Sequence, residues 1–201
     1  MACGRTARAK KKKDGVRVIL ASFSPRRKRL LKKIAGKIIV MGANVNEKML
    51  FGEAFPSAAK RLARAKARAV AEKKSCRGAI VIGADTIAYA GKTIFRKTEN
   101  RKIAERILRS LSGKTHTVVT GVALIFPDGR EIAYSVRAKV KMKKLGEPEL
   151  RGYLESGEWK GRAGCYDVSG KGRRLVAEIS GEKETVVGLP LRCLKRILGS
   201  A

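Results

Sequence analysis

The sequence predicts a mixed α/β fold, a twisted sheet flanked by helices and closed into two lobes around a central cleft. Two observations carry this expectation. In the first half, short apolar runs of strand length alternate with segments whose apolar residues recur at helical spacing. In the second half, two long β-patterned stretches follow one another across Pro127-Asp128-Gly129, a turn signal. Strand–helix alternation followed by paired strands is the pattern of helices packed on a mixed sheet.

Taken in order, residues 16–21 (VRVILA) read as a short apolar strand, and 25–35 as a helix with Leu30, Leu31 and Ile34 on one side. A second short strand is expected at 37–41. Residues 57–74 read as a long helix, with Ala59, Leu62, Ala63, Val70 and Ala71 apolar between basic positions. Residues 79–83 (AIVIG) form an apolar strand that runs into polar Asp85 and Thr86. Residues 99–111 are helical, with Ile103, Ile107, Leu108 and Leu111 as the expected buried stripe. Strands are expected at 115–126 and 131–142, a helix at 147–156, Gly-rich strands up to Val187, and a closing helix at 190–198. The first 15 residues, with Lys10 to Lys13 consecutive and no periodic apolar face, read as a mobile basic tail. The remainder, 16–201, shows no repeat or linker and reads as one domain.

Composition narrows the classes. At 201 residues and 44% hydrophobic, the chain is long and apolar enough to bury a core. No apolar run approaches the ~20 residues of a membrane span. Nor is there an N-terminal segment of roughly 7–15 apolar residues, as a secretory signal carries. The expected compartment is therefore the cytoplasm, with no membrane partner. Cys3, Cys76, Cys165 and Cys193 are scattered, with His116 the sole histidine, a pattern of reduced packing thiols rather than a zinc site. Forty-seven Lys and Arg against 17 Asp and Glu give a net charge of +30. Removing the six basic residues of 1–13 still leaves +24, so the charge belongs to the whole surface. Such a field attracts polyanions, whether nucleic acid, anionic lipid or a phosphorylated substrate, and is equally that of a solvated, highly basic protein.

Three segments are suited to chemistry. In Ala21-Ser22-Phe23-Ser24-Pro25-Arg26-Arg27-Lys28, Ser24 is a good N-cap and Pro25 suits the first helical position. The free N–H groups of the helix start, with Arg26 and Arg27 beside them, then make a phosphate site in miniature. An ordinary capped helix with exposed arginines reads the same way. In Gly83-Ala84-Asp85-Thr86, a carboxylate at the end of a buried strand would project into the crevice where α/β ligands bind, to hold a metal or act as general base. The competing reading is a turn aspartate satisfying backbone N–H groups. Third, Glu47 follows Asn46 in an acid-poor stretch, and with Asp85 it would supply the oxygen pair that Mg²⁺ or Mn²⁺ prefers when phosphates complete the shell.

Together with 111–122 (LSGKTHTVVTGV), 163–170 (AGCYDVSG) and 186–191 (VVGLPL), the first two of these segments resemble the Maf family of nucleoside triphosphate pyrophosphatases in identity, order and spacing, over residues 16–199. The resemblance implies a nucleotide-binding cleft of the Maf/ITPase type. It also implies hydrolysis of a nucleoside triphosphate to the monophosphate and pyrophosphate, and a divalent metal, Mg²⁺ or Mn²⁺. Carried over by position, Asp85 is the general base and Glu47 a carboxylate linked to metal and catalysis. Lys97 is a catalytic, phosphate-binding lysine, Lys66 a substrate-binding lysine on the long helix, and Ser22, Arg26 and Arg27 belong to the phosphate-facing loop, while Arg26, Thr86 and Ser169 fall where the family reads the base. His116 is structural in this comparison, and a homodimer is expected.

The sequence departs from the family in three places. Lys97 stands between Arg96 and Thr98 rather than before a proline, Asn46 replaces a common aspartate, and Ser169 replaces the glutamine usual in the dTTP/UTP branch. The THTV and GADT forms still favour that branch over the one acting on 7-methyl-GTP. A different class, a basic protein that binds nucleic acid without chemistry, is weakened by the 5% aromatic content and the lack of a stacking motif. A role in arresting septum formation is attached to the family by its history.

Overall fold

The computed structural model describes residues 16–199; the basic segment 1–15 and Cys3 lie outside the described residues. One seven-stranded sheet organises them. Strand β1 (Arg17–Leu20) leads into helix α1 (Pro25–Ala35), then β2 (Ile38–Val40) and the long α2 (Phe55–Ala71). Strand β3 (Ala79–Ala90) turns through the short β4 (Thr93–Ile94) to α3 (Arg101–Leu111). Strands β5 (Thr115–Ile125) and β6 (Glu131–Met142) precede α4 (Glu147–Glu155). After two 3-10 turns come β7 (Val176–Ser180), α5 (Lys183–Val187) and α6 (Leu191–Gly199). The strand order is β2-β1-β3-β5-β6-β7, with β1 parallel to both its neighbours and the β3–β5–β6–β7 run antiparallel.

The pleat sorts the core into two faces. Val18, Leu20, Ile80, Ile82 and Ala84 meet α1, α3, α4 and α6 on one side, through Leu30, Leu31, Leu108, Leu150 and Leu194. Ile19, Ala21, Ala79 and Val81 meet α2 on the other, through Ala63, Ala67 and Val70. Both faces are covered, which is why residues 18–21 and 79–84 read as continuous apolar runs.

Helix α2 lies unusually close to the sheet. A Cβ on Gly83 would stand 2.2 Å from Ala63 O, and one on Gly121 would stand 2.1 Å from Ala59 O. Two glycines on adjacent strands, under an alanine row spaced four residues apart on the helix, let backbone touch backbone.

Three expectations need correction. Strand β3 does not end at Gly83: it runs on to Ala90, because β5 pairs with it from Val81 to Tyr89. The Gly-rich stretch before Val187 is not a series of strands; it holds 3-10 turns at Ala163–Cys165 and Lys171–Leu175, the single strand β7 and the short α5. On α3 the buried residues are Ala104, Leu108 and Leu111, while Ile103 is 39% exposed, since the helix rolls its small residue toward its neighbours.

Candidate active site

The last register pair between β1 and β3 is Leu20↔Ile82, after which β1 leaves the sheet toward α1. From there β3 has a free edge, at the point where the chain's crossovers diverge to either side of β1, and ligands of open α/β sheets bind in such a crevice. Asp85 and Thr86 sit there. Being consecutive on a strand, they face opposite sides of the sheet, Asp85 toward α2 and Thr86 toward α1. Expected at a strand end, Asp85 in fact occupies mid-strand beside the end of another.

On the α1 side, Arg27 is buried and held by three parts of the chain. Its Nε donates to Gly188 O at 2.9 Å, one terminal nitrogen donates to Ser22 Oγ at 3.2 Å and the other to Thr86 Oγ1 at 3.0 Å. Thr120 Oγ1 donates to Thr185 O at 2.7 Å, so the hydrogen shared at 2.9 Å between Thr86 and Thr120 must come from Thr86. The Thr86 hydroxyl therefore accepts from Arg27 and passes its own hydrogen to Thr120. Gly188 has φ 114°, and a Cβ there would come within 3.2 Å of both Arg27 Nε and Thr86 Oγ1, so the close approach requires glycine. Burial lowers the Arg27 pKa from its ordinary value, with Asp85 opposing. Three of its five N–H donors are committed, which leaves a fixed guanidinium with donors to spare.

On the α2 side, Lys66 reaches across the glycine notch. Its Nζ lies 2.6 Å from Asp85 Oδ1 and 2.5 Å from Glu47 Oε1, so a single ammonium draws the two carboxylates together. Burial alone would raise the Glu47 carboxyl, but the Lys66 hydrogen bond and charge outweigh it and hold the group below the usual range. Lys97 lies close by, its pKa lowered by burial first and then by the nearby Arg27.

These groups border a cavity of about 640 Å³, lined by Ser22, Arg26, Arg27, Glu47, Lys66, Thr86 and Lys97 among others. A second of about 230 Å³ adjoins it, shares Glu47, Thr86 and Lys97, and adds Asp85. Phe23, 77% exposed, stands at the mouth with its ring over Gly42. The structure thus assembles eight of the nine residues singled out from sequence. Ser169 is the exception: its side chain is exposed and does not line the cavity, and its amide donates to Asp167 Oδ1 at 2.9 Å. The turn at 163–165 swings the polypeptide so that Asp167 faces inward instead. Sequence reading missed Asp167 along with Arg29, Lys160 and Arg162, all of which line the cavity. The one available signal was an acid inside the AGCYDVSG segment of a chain so poor in acids. His116 donates no chemistry to the cleft: it is buried, its Nε2 is 2.7 Å from the Tyr166 hydroxyl, and burial lowers its pKa to about 4.

Residues 17–201 match the family model described as Maf-like protein. The chain is 43% identical over 175 residues to the dTTP/UTP pyrophosphatase of Paramagnetospirillum magneticum, covering 87% of this chain and 91% of that protein. It is 40% identical to the dTTP/UTP pyrophosphatase of Aquifex aeolicus, covering 91% and 94%. The chain belongs to the Maf-like family. A HAM1 protein from Coxiella burnetii shares the fold, with a TM-score of 0.50 at 14% identity, over 93% of this chain and 100% of that one. The Maf resemblance rested on five segments spread from Ser22 to Leu191, and each contributes to the cavity wall or to the hydrogen-bond chain behind it, through Ser22, Thr86, Val118, Asp167 and Gly188. Among the described residues, no helix of this Maf-like chain is long and apolar enough to cross a membrane.

Proposed function

We propose that this Maf-like chain hydrolyses nucleoside triphosphates between the α- and β-phosphates, releasing the monophosphate and pyrophosphate. The observation that carries the reading is the convergence of five separated segments on one cation-rich cavity, with the Lys66-bridged carboxylates Glu47 in its wall and Asp85 in the adjoining smaller cavity. The names of the relatives support the same reaction.

A divalent cation, Mg²⁺ or Mn²⁺, fits the donor set. Glu47 and Asp85 offer oxygen ligands already gathered around one positive charge. No group of three or more His, Cys, Asp or Glu suited to a metal occurs among the described residues, so substrate oxygens and water would fill the rest of the shell. When bound, the ion offsets phosphoryl charge and polarises the oxygens it touches. Asp85 takes the proton of the attacking water as its oxygen bonds to the α-phosphorus, and the bond to the β-phosphate breaks. Arg27, Lys66 and Lys97 are fixed in advance where the departing pyrophosphate gains charge, so little reorganisation opposes the step.

The test is product analysis of nucleoside triphosphates incubated with Mg²⁺ or Mn²⁺, with and without chelator. Monophosphate and pyrophosphate should form and cease with chelator. Orthophosphate as the first product would overturn the reading.

A second, compatible activity is non-specific nucleic-acid binding. Lys28, Arg29, Lys32, Lys33 and Lys37 are all exposed on or just after α1, a helix without an acid. Like charges at i,i+4 spacing destabilise a helix unless an anion covers them. A steep fall of duplex-DNA affinity with salt, flattened by Lys28→Gln/Lys32→Gln, is the expected result.

A further inference from the structure

Thr120 is fully buried and borders neither cavity, so it cannot touch a substrate. It nevertheless closes a ring of hydrogen bonds around Arg27. Thr120 and Thr86 are register partners on β5 and β3, which puts both hydroxyls on the α1 side of the sheet. One branch of the ring runs directly from Arg27 Nε to Gly188 O at 2.9 Å. The other runs from an Arg27 terminal nitrogen to Thr86 Oγ1 at 3.0 Å, on to Thr120 Oγ1 at 2.9 Å, and ends on Thr185 O at 2.7 Å. Both branches thus end on carbonyls at the close of α5. There the N–H groups of Gly188 and Leu189 both turn back to Glu184 O, which leaves the Thr185 carbonyl to Thr120.

A carbonyl accepts and cannot donate, so the last hydrogen of the long branch belongs to Thr120 and the one before it to Thr86. Both hydroxyl hydrogens therefore point away from Arg27, and a lone pair of Thr86 is turned toward it. The three acceptors that hold Arg27 are all neutral. They leave its charge whole for an anion, where a bonded carboxylate would cancel much of it. Neutral groups hold a buried cation only through the orientation of their dipoles, and a hydroxyl, unlike a carbonyl, can rotate. Thr120 is what stops the rotation of Thr86. Bonds aligned in one sense also polarise one another, which strengthens the grip.

We infer that Thr120 is a positioning residue for Arg27: it locks the Thr86 hydroxyl with a lone pair toward the guanidinium, and so fixes that guanidinium at the cavity wall before substrate arrives. The effect on turnover rests on the pyrophosphatase reading; the effect on Arg27 itself does not. A threonine that only filled the core would be replaceable by valine, which has its shape and lacks the hydroxyl. In Thr120→Val the Thr86 hydrogen and the Thr185 carbonyl lose their partner together, and Thr86 is free to turn its hydrogen against Arg27.

Two measurements test this. In substrate-free protein, exchange of the Arg27 Nε hydrogen with solvent is followed by NMR, the signal being assigned by its loss in Arg27→Lys. Thr120→Val should speed that exchange by about tenfold or more, and Thr120→Ser, which keeps the hydroxyl, by about threefold or less. In steady-state kinetics with a nucleoside triphosphate and Mg²⁺, Thr120→Val should lower kcat/KM by about tenfold or more, while Thr120→Ser stays within about threefold of wild type. The loss should disappear in an Arg27→Lys background, because an ammonium has no fork for Thr86 to hold. Wild-type exchange in Thr120→Val would overturn the inference. So would equal damage from serine and valine, or the same kinetic loss in both backgrounds, which is the mark of disturbed packing alone. Should Thr120→Val not fold, Thr120→Ala takes its place in each comparison. A wild type that hydrolyses no triphosphate, with exchange responding as stated, would sink the pyrophosphatase reading while sustaining the role of Thr120.

Discussion

Lys66 and Asp85 meet across the join between α2 and β3, ammonium to carboxylate at 2.6 Å, both nearly sealed from solvent. The contact forms because the helix lies on Gly83 and Gly121, which brings a side chain of α2 down to the level of the sheet. The same lysine holds Glu47, so one helix position organises both acids of the site.

Asp85→Asn should lower kcat by at least ~10²-fold, the low end for loss of a general base, because an amide cannot take the proton from water. Breaking a buried ion pair outright costs about 3–5 kcal/mol, but Glu47 continues to pair Lys66, so the variant should remain folded with a modestly lower Tm. Pyrophosphate release and a thermal melt check both halves. Retention of most of kcat would mean another group is the base.

Lys97→Ala should lower kcat more than it raises KM, since in the proposed mechanism this cavity lysine meets charge that grows as pyrophosphate departs. Steady-state kinetics across a substrate series measures the split. A pure KM effect would make Lys97 a ground-state binding residue.

His116 makes stability depend on pH. The folded chain resists protonating this buried ring until about pH 4, whereas the ordinary value is 6.5. Between those values the unfolded chain binds the extra proton, so stability is lost as pH falls through that window, by up to about 3 kcal/mol. Melts of wild type and His116→Gln at pH 7, 5.5 and 4.5 should show the wild-type advantage shrinking toward acid. A constant difference would count against the account.

Gly121→Ala should destabilise the fold by about 1–3 kcal/mol, the usual range for overpacking, because its Cβ would lie 2.1 Å from Ala59 O on an unyielding backbone. Since Asp85 pairs directly with Gly121, activity should fall together with Tm as the helix lifts. A Tm within a degree of wild type would mean the helix shifts freely.

The elements were legible where period and length agreed. The helix at Pro25–Ala35 was read to the residue because Ser24 and Pro25 mark its start and Gly36 its end. Strand β3 was cut short because Asp85 and Thr86 look like the close of an apolar run; what carries the strand on is its pairing with β5, which local pattern does not contain. The stretch around Ala163–Cys165 was misread because its glycines serve turns, with Gly164 at φ 75°. That turn also decides which side chain of the AGCYDVSG segment lines the cavity, Asp167 and not Ser169. The Lys66 bridge needed tertiary geometry, since nothing in the helix sequence separates Lys66 from its neighbour Arg64 as a partner for Asp85.

The alternation of Asp85 and Thr86 makes the two sides of the cleft depend on counting. A slip of β3 by one residue against β5 would carry the acid to the arginine side and the hydroxyl to the lysine side, dismantling both halves at once. It would also push the Cβ of Ala84 or Ile82 into the place of Gly83, against the carbonyl of Ala63. The two glycines therefore behave as an index pin: atoms that are missing at one level of the sheet permit a single alignment, and only in that alignment do Asp85 meet Lys66 and Thr86 meet Arg27 at the same opening.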